Sequence, residues 1–325
     1  MIKIGIVGFG NVGRGVEQAI MQQPDMELVA IFTRRNPENV KPYSDVKVDL
    51  LDNLHKYIGK IDVIILCNGS ANDLPKQGPE IVKMFCTVDS YDNHGKMPEY
   101  FVAMNEAAIS RKKIAVIATG WDPGVFSINR ALFESYLPIG TTNYFYGPGV
   151  SQGHSQAIRD ITGVKNAVQY TMPVEENLQR VQQGEILELL PREKYTRECY
   201  VVLDEGANQA SIEATIKGMP DYFEPYDTAL HFVTEEQLAK EHSAMPHGGF
   251  VIRTGFTGAD SHAQTMEFSL KLKSNPEFTA TIMLAYARAA ARIYASGEIG
   301  ARTVLDIPAT QLSIKTREQL IKELL

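Results

Sequence analysis

The sequence predicts an α/β protein with a Rossmann-type, doubly wound parallel sheet, followed by a second domain of the α+β class. Three observations support this prediction. Short apolar segments alternate with helical segments through the first third of the chain. A glycine-rich segment directly follows the first apolar segment. After residue 121 the pattern changes to strands separated by polar loops with glycine and proline. Alternating strands and helices are typical of a parallel sheet covered on both faces.

Five apolar segments of the first third predict the parallel strands. They are continuous rather than alternating and contain many β-branched residues, as expected for strands buried on both faces. In chain order they lie at Ile2–Val7 and at residues 27–32, 61–67, 85–90 and 113–119. A helix is predicted between the first two strands, at residues 13–23.

The strand candidates of the second domain lie in a more polar context, which predicts an antiparallel or mixed sheet. They occupy residues 167–172, 197–203, 228–233 and 249–256. A long helix with small residues on one face is predicted at residues 278–297. We expect this helix to pack back on the first domain.

Composition excludes several classes of protein. With 325 residues, 44% of them hydrophobic, the chain can form one large or two medium domains. Its net charge of −7 argues against a nucleic-acid-binding face and against binding to an anionic membrane. No apolar run approaches the roughly 20 residues of a membrane span, and the N-terminus does not resemble a signal peptide. We therefore expect a cytoplasmic protein.

The three cysteines, Cys67, Cys86 and Cys199, are widely spaced and form no C-x-x-C motif. We expect reduced, buried thiols. No metal-ligand spacing such as H-x-x-E-H occurs, so we expect no metal site.

The segment GFGNVG fits the pattern G-x-G-x-x-G and stands between the first predicted strand and a helix. That context favours a Rossmann-type dinucleotide site over a merely tight turn. Gly8 permits the turn, Gly10 lets the backbone approach a pyrophosphate, and Gly13 allows close contact between helix and strand. The helix N-terminus then faces the phosphates. The predicted cofactor contacts here also include Phe9, Asn11 and Val12.

The end of the second predicted strand reads Thr33-Arg34-Arg35. A site for NAD tends to place a carboxylate at this point, where it binds the ribose 2′-hydroxyl. Guanidinium groups instead bind a 2′-phosphate and stack on adenine, and Thr33 adds a hydroxyl. The alternative is a solvated basic loop. The position relative to the glycines favours NADP(H) over NAD(H).

The segments that follow the third, fourth and fifth strands are also predicted to line the cofactor crevice, since the carboxyl ends of parallel strands meet at one edge. The alternative is ordinary turn chemistry, and composition does not separate the two. The predicted contacts are Cys67, Asn68, Gly69 and Ser70, then Ser90, Tyr91 and Asp92, then Gly120, Trp121, Asp122, Pro123 and Gly124.

Eight segments together resemble the meso-diaminopimelate D-dehydrogenase family over essentially the whole chain. They are GFGNVGRGVE, FTRR, VDSYDNH, ATGWDPGVFSINR, GPGVSQGHS, QYTMP, MPDYF and MPHGG. GWDPGVFSINR and GPGVSQGHS are much more specific than the glycine motif.

The resemblance implies NADP-dependent oxidative deamination of the D-centre of meso-2,6-diaminopimelate, in diaminopimelate and lysine biosynthesis. The products are ammonia and L-2-amino-6-oxopimelate, which cyclises to tetrahydrodipicolinate, and the reaction is reversible. The resemblance also suggests a homodimer. Residues 1–120, with C-terminal helices at about 275–325, would then form the dinucleotide-binding domain. Residues 121–274 would form the substrate-binding and dimerisation domain.

This substrate has two carboxylates and two ammonium groups, and each charge needs a partner when it is buried. Asp92 and Asp122 resemble the family's amine-binding carboxylates and are our catalytic candidates, because carboxylates favour a developing iminium and can take a proton. Trp121 is expected to form a wall of the pocket, although packing alone would also explain a tryptophan.

At the far end, the family pattern falls on Thr171, Arg197, His247 and Asn275, with Arg197 as the fork for a carboxylate. Alone, each would be an unremarkable strand or loop residue. Gln152 and Gly153 are expected between the two ends. His154 is ambiguous: it either activates the hydrolytic water or has a positioning or structural role.

Two rival functions remain open from the sequence. One is another oxidoreductase of amino-acid metabolism, similar to homoserine dehydrogenase or dihydrodipicolinate reductase, since GFGNVG fits those as well. The other is a non-catalytic NADPH-binding protein, which would need only the first third of the chain.

Overall fold

The structure, a computed structural model, describes residues 1–220, 222–259 and 261–325. They divide into two compact units. The first unit comprises Met1–Ile128 and Pro276–Leu325, and the second comprises Asn129–Asn275. Asp221, which belongs to the MPDYF segment, lies outside the described residues.

The strands, in chain order, are β1 (Ile2–Val7), β2 (Met26–Thr33), β3 (Lys47–Leu50), β4 (Val63–Leu66), β5 (Cys86–Asp89), β6 (Ile114–Ile117), β7 (Gly140–Tyr146), β8 (Gly149–Val150), β9 (Val164–Pro173), β10 (Tyr195–Leu203), β11 (Asp227–Phe232), β12 (His247–Thr257), β13 (His262–Leu272) and β14 (Gly300–Thr303). The α-helices are α1 (Asn11–Ile20), α2 (Leu74–Val82), α3 (Met97–Ser110), α4 (Val125–Tyr136), α5 (Gln152–Arg159), α6 (Glu175–Gln182), α7 (Pro191–Lys194), α8 (Gln209–Lys217), α9 (Glu235–Glu241), α10 (Asn275–Ala295), α11 (Ala309–Leu312) and α12 (Arg317–Leu324). Short 3₁₀ turns lie at Pro37–Asn39, Leu51–Tyr57, His94–Lys96 and Val304–Asp306.

The first unit is built on a parallel sheet with the strand order β14-β6-β5-β4-β1-β2-β3. All five predicted parallel strands are present, and the predicted Rossmann-type fold class is confirmed. The order of the strands reverses at β1, which pairs with β2 on one side and β4 on the other. At such a point the loops that leave the carboxyl ends diverge, and a crevice opens between them.

Some details of the first unit differ from the prediction. Strands β3 and β14 were not predicted, because each spans only four residues and contains polar side chains that break an apolar run. The first helix begins at Asn11 rather than residue 13 and ends at Ile20 rather than residue 23. The early start follows from the bond that the Arg14 N–H donates to the Gly10 carbonyl.

Each face of the parallel sheet has its own core. On one face, alternate residues of β1 and β2 such as Ile4 and Ile31 pack with α1 and α10. On the other face, residues such as Ile64 and Phe32 pack with α2 and α3. This alternation of contacts is what a strand buried on both sides requires, and it explains why the strand sequences are continuously apolar.

The C-terminal helix α10 is fixed to the first unit by packing and by a buried cation. Gly15 of α1 faces α10 so closely that a Cβ there would lie 3.1 Å from the Cβ of Ala280. Arg288 is 3% exposed and donates to both carboxylate oxygens of Asp25, at 2.6 and 2.7 Å. It also donates to the Leu312 carbonyl at 2.9 Å. The guanidinium holds the pKa of Asp25 below its usual value.

The described strands of the second unit form two sheets, ordered β11-β10-β9-β8 and β13-β12-β7. The first of them is mixed, since β10 pairs antiparallel with β9 and parallel with β11. The four strand candidates of this region correspond to β9, β10, β11 and β12, so the predicted antiparallel or mixed sheet is confirmed. Strands β7, β8 and β13 were not predicted. β8 has only two residues, and most of β13 is polar or exposed.

Within the described parts of the chain, none of the helices combines the length and the apolar character that crossing a membrane would require.

Candidate functional site

The glycine loop leaves β1 and enters α1 at the point where the strand order reverses. Gly8 has a φ of +91°, and a Cβ there would overlap the side chain of Asn68. A Cβ on Gly13 would overlap the carbonyl of Gly8. A Cβ on Gly10 would meet no protein atom within 4 Å. The protein's own packing therefore requires glycine at the first and third positions, while the middle glycine leaves room in front of the helix N-terminus.

A cavity of about 250 Å³ joins this loop to the arginine pair. Two elements that are about twenty residues apart in sequence thus share one pocket, as the motif predicts. Its lining comes from the glycine loop, the end of β2, the 3₁₀ turn after β3 and the second residue after β4: Val7, Gly8, Phe9, Gly10, Phe32, Thr33, Arg34, Arg35, Leu51 and Asn68.

The two arginines of the pocket have different partners. Arg35 donates from Nη2 to the Phe9 carbonyl at 3.1 Å, which ties the end of β2 to the glycine loop. Its backbone N–H donates to Thr33 Oγ1 at 3.1 Å, so the hydroxyl hydrogen of Thr33 is available to another acceptor. Arg34 forms a two-point ion pair with Asp73, at 2.8 and 2.9 Å.

Asp73 is a residue of this site that the sequence reasoning missed. It stands in the segment between β4 and α2, immediately before the helix, and its side chain is 23% exposed. The signal was a carboxylate within CNGSAND, a few residues after the third predicted strand. Because the Arg34 side chain is 58% exposed, the pair lies in water and holds the guanidinium only weakly.

The segment after β4 packs beneath the glycine loop. Asn68 donates from Nδ2 to Gln77 Oε1 at 2.6 Å, which fixes the amide that Gly8 contacts. Cys86 and Cys199 are buried as expected, whereas Cys67 is only partly buried. Desolvation still raises the pKa of the Cys67 thiol, so this cysteine is a neutral packing group. Gly69 and Ser70 lead into α2, where the Gly69 carbonyl accepts from the backbone of Asp73.

The segments after β5 and β6 carry the two catalytic candidates. Asp92 is exposed and follows β5 by three residues, while Asp122 is partly exposed and follows β6 by five. The two strands are neighbours in the sheet, so both segments leave the same edge. Ser90 and Tyr91 belong to the first segment, and Tyr91 is buried.

The segment TGWDPG forms a compact turn between β6 and α4. Gly124 has a φ of +139°, and a Cβ there would overlap the Gly120 carbonyl. The peptide bond between Asp122 and Pro123 is cis. Trp121 is 7% exposed and meets Phe126 edge to face, with ring centroids 5.1 Å apart. Packing thus accounts for much of the tryptophan's surface, as the alternative reading of this residue proposed.

In the second unit, Arg197 and Thr171 are register partners on β10 and β9. Arg197 Nη1 donates to Thr171 Oγ1 at 2.5 Å, and the guanidinium carbon lies 4.0 Å above the ring of Tyr226. Arg197 is 7% exposed, its Nε has no hydrogen-bond partner within the described residues, and burial lowers its pKa. A buried guanidinium with an unused donor is costly unless a ligand supplies an anion.

His247 and Asn275 lie close to this pair along the backbone. Gly149 pairs with Thr171, and a Cβ on Gly149 would lie 2.6 Å from Nδ1 of His247. His247 Nδ1 lies 2.8 Å from the Gly248 N–H, which donates to it, and 3.2 Å from the Gly248 carbonyl. The N–H of Asn275 donates to the Met245 carbonyl at 2.9 Å, two residues before His247. The structure therefore brings these four predicted residues into one region of the second unit.

Gln152 and Gly153 form the exposed first turn of α5, which Ser151 caps. Ser151 Oγ accepts from the backbone N–H of His154 and lies 2.7 Å from His154 Nδ1. With the ring proton on Nε2, the Ser151 hydroxyl can donate to Nδ1, and this is the tautomer that we expect. Burial, with the nearby charge of Arg197, lowers the pKa of His154 to about 4. The ring is thus a neutral hydrogen-bond donor, which favours a positioning role over activation of water.

The His154 tautomer can be measured directly. In ¹⁵N-labelled protein we expect the ring to stay neutral, with its proton on Nε2, as the pH falls from 7 to 5. The depressed pKa means that neutral His154 contributes stability above pH 6.5, which is lost as the pH falls towards 4. The exposed His55 provides an internal comparison in the same spectra. A His154 ring that carries a proton on Nδ1 at pH 7 would contradict this assignment.

Known proteins match this chain over its full length. Residues 120–274 match the family model "Diaminopimelic acid dehydrogenase C-terminal domain", and residues 2–66 match "Dihydrodipicolinate reductase, N-terminus". The meso-diaminopimelate D-dehydrogenase of Ureibacillus thermosphaericus is 58% identical over 324 residues, which cover 100% of this chain and 99% of the relative.

Two solved structures are similar throughout. One is a meso-diaminopimelate dehydrogenase mutant from Clostridium tetani with DAP, at 50% identity and a TM-score of 0.96, with 100% of both chains covered. The other is an engineered D-amino acid dehydrogenase bound to NADP+, at 42% identity and a TM-score of 0.89, with 100% of this chain and 99% of the other covered. Identity of this extent over the whole chain establishes that the protein belongs to the meso-diaminopimelate D-dehydrogenase family.

Proposed function

We propose that the protein catalyses the NADP-dependent, reversible oxidative deamination of the D-centre of meso-2,6-diaminopimelate. The products are ammonia and L-2-amino-6-oxopimelate, the open form of tetrahydrodipicolinate, within diaminopimelate and lysine biosynthesis. The full-length identity of 58% to a dehydrogenase of this family is the observation that supports the proposal most strongly. Family membership also argues against the rival dihydrodipicolinate reductase-like, homoserine dehydrogenase-like and non-catalytic functions.

The residues of the first unit fit NADP(H). The cavity is lined by the glycine loop, where a Cβ on Gly10 would meet no protein atom within 4 Å, and by Arg34 and Arg35. We assign the pyrophosphate to the α1 N-terminus and the 2′-phosphate to Thr33, Arg34 and Arg35. When bound, NADP+ supplies the hydride acceptor. The segments after β4, β5 and β6 would flank the nicotinamide portion.

At the reacting end, we assign the substrate amine to Asp92 and Asp122. A carboxylate accepts hydrogen bonds from the ammonium group, takes the proton that must leave before oxidation, and stabilises the cationic imine that results. Water then adds to the imine carbon and ammonia leaves. Trp121 would form a wall of the pocket beside this step.

At the far end, we assign the L-centre carboxylate to Arg197, with Thr171, His247 and Asn275 as further hydrogen-bonding groups. Arg197 supports this assignment because it is buried and retains an unused donor. When Nδ1 of His247 accepts from the Gly248 N–H, a neutral ring would carry its proton on Nε2, which is the donor that a carboxylate requires. Gln152 and Gly153 would contact the substrate between its ends.

We also propose a homodimer through the second unit and a cytoplasmic location.

The direct test is an assay with purified protein, meso-diaminopimelate and NADP+. We expect NADPH to form, with much slower reduction of NAD+, and ammonia to be released in equal amount. Turnover of a different amino acid but not of the meso isomer would overturn the substrate assignment and leave the dehydrogenase class intact. Binding of NADPH with no turnover of any amino acid would instead support the non-catalytic alternative.

The cofactor preference depends on the arginine pair. The double variant Arg34→Ser/Arg35→Asp should raise the KM for NADP+ roughly tenfold to a hundredfold, since charge-assisted bonds to the phosphate are lost. The KM for NAD+ should change much less. Arg111→Ser, at an exposed arginine of the same unit, is the matched control. Equal losses with both cofactors would show that the pair does not bind the 2′-phosphate.

If Arg197 binds the L-centre carboxylate, two buried arginines of the second unit should differ in how much they contribute to stability and to substrate binding. Arg197→Met should leave the free energy of unfolding within about 1 kcal/mol of wild type, because it removes an incompletely paired buried charge. It should also abolish the stabilisation of the protein by meso-diaminopimelate. Arg253 is 5% exposed and donates to Leu137, Thr142 and Pro138.

Arg253→Met should therefore destabilise the second unit by about 2–4 kcal/mol, since three acceptors lose their donor. Urea unfolding measures the free energies, and thermal shifts with and without substrate measure binding. If Arg197→Met retains the substrate-induced shift, the carboxylate assignment is wrong.

A further inference from the structure

Asp89, the last residue of β5, is a fully buried carboxylate whose contacts cross between two loops. Its Oδ1 accepts from the Tyr91 N–H at 3.0 Å and from the Ala118 N–H at 3.5 Å, and its Oδ2 accepts from the Tyr100 hydroxyl at 2.7 Å. Its carbonyl accepts from both the N–H and the hydroxyl of Thr119, at 2.9 and 2.8 Å. One residue thus fixes the first turn of the segments after β5 and β6.

These are the segments that carry the two catalytic candidates. Asp92 is one residue beyond the amide of Tyr91, and Asp122 is three residues beyond Thr119. Ala118 has a φ of +60°, a conformation that an alanine rarely adopts and that neighbouring bonds must hold in place. The contact from its N–H to Asp89 is such a bond. The path of the chain towards Trp121 and Asp122 therefore begins at a strained residue next to this carboxylate.

The groups around Asp89 hydrogen-bond to its carboxylate but supply no opposite charge. Tyr100 comes from α3 and stacks on Tyr91, with ring centroids 4.1 Å apart. A Cβ on Gly78 of α2 would lie 2.6 Å from the Tyr100 hydroxyl, so a glycine makes room for it. Within the described residues, no cation forms a salt bridge with Asp89. Burial raises its pKa to about 6, and the three donors act in the opposite direction.

We propose that Asp89 is a positioning residue: its carboxylate fixes the segments after β5 and β6 against each other and so sets the separation of Asp92 and Asp122. The inference rests on the proposed function, which assigns those two aspartates to the reacting amine. The hydrogen bonds distinguish two substitutions. Asp89→Asn keeps a side-chain acceptor for the N–H groups of Tyr91 and Ala118, whereas Asp89→Ala removes it.

The test compares Asp89→Asn, Asp89→Ala and Tyr100→Phe. Because misplacement by about 1 Å can lower rates by about a hundredfold, we expect Asp89→Ala to reduce kcat/KM for meso-diaminopimelate by roughly 30- to 100-fold. Asp89→Asn should stay within about threefold of wild type, and Tyr100→Phe, which removes only the side-chain donor, should lie between them. The dissociation constant for NADPH, measured by fluorescence, should change much less than kcat/KM in all three, because the contacts at the glycine loop and at Arg34-Arg35 are left intact.

Glu17→Ala is the matched control, because Glu17 is also a fully buried carboxylate of the first unit and accepts from the N–H and hydroxyl of Ser44. We expect wild-type kcat from this variant even if its melting temperature falls.

Hydrogen exchange supplies a second measurement that does not need turnover. In Asp89→Ala, peptides that cover residues 90–93 and 118–124 should exchange faster, while the glycine loop at residues 8–13 should not.

Wild-type kinetics in Asp89→Ala, even with a lowered melting temperature, would overturn the inference and leave a purely structural role. Unchanged exchange in both segments would overturn it as well, whatever the substrate proves to be. Equal losses in Asp89→Asn and Asp89→Ala would mean that the charge, not the hydrogen-bonded position, matters. A wild-type protein that does not oxidise meso-diaminopimelate contradicts the proposed function instead.

Discussion

The carboxyl edge of the parallel sheet is the constraint on which the site in the first unit depends. Parallel pairing makes β1, β2, β4, β5 and β6 end on the same side, so every loop that leaves them starts at one edge. The reversal of strand order at β1 opens that edge, and the close approach of Gly13 to the Gly8 carbonyl keeps α1 directly above it. The glycine loop, the arginine pair and both aspartates take their places from this backbone arrangement.

Polar groups along this edge are held by other polar groups of the same protein. Arg35 is held by the carbonyl of Phe9, Asn68 by Gln77, and the first turns of two loops by Asp89. Each bond fixes a side chain or a turn before any ligand arrives. Such preorganisation reduces the entropy that binding must remove and limits the positions that reacting groups can take. The fold thus supplies rigidity where the proposed chemistry needs fixed distances.

In the second unit, by contrast, the buried guanidinium of Arg197 is left incompletely hydrogen-bonded. Arg253 and Arg197 are both buried on neighbouring sheets, yet Arg253 has three hydrogen-bonded acceptors and Arg197 has an Nε with none within the described residues. A folded protein tolerates such a group when the deficit is made up by a ligand. The contrast between the two arginines is a stronger indication of a binding group than the presence of arginine in a strand.

The sequence by itself determined the Rossmann-type fold class, the glycine loop and its association with Arg34 and Arg35, because these depend on local periodicity and on fixed spacing within one βαβ unit. It missed β3, β8 and β14, which are too short to show a period, and also β7 and the largely polar β13. It misplaced the ends of α1 as well. Only the tertiary structure decided that Asp73 pairs with Arg34, that Asp89 joins two loops, and that Arg197 is buried with an unused donor. Each of these depends on residues that are far apart in the chain, and on burial that no local pattern records.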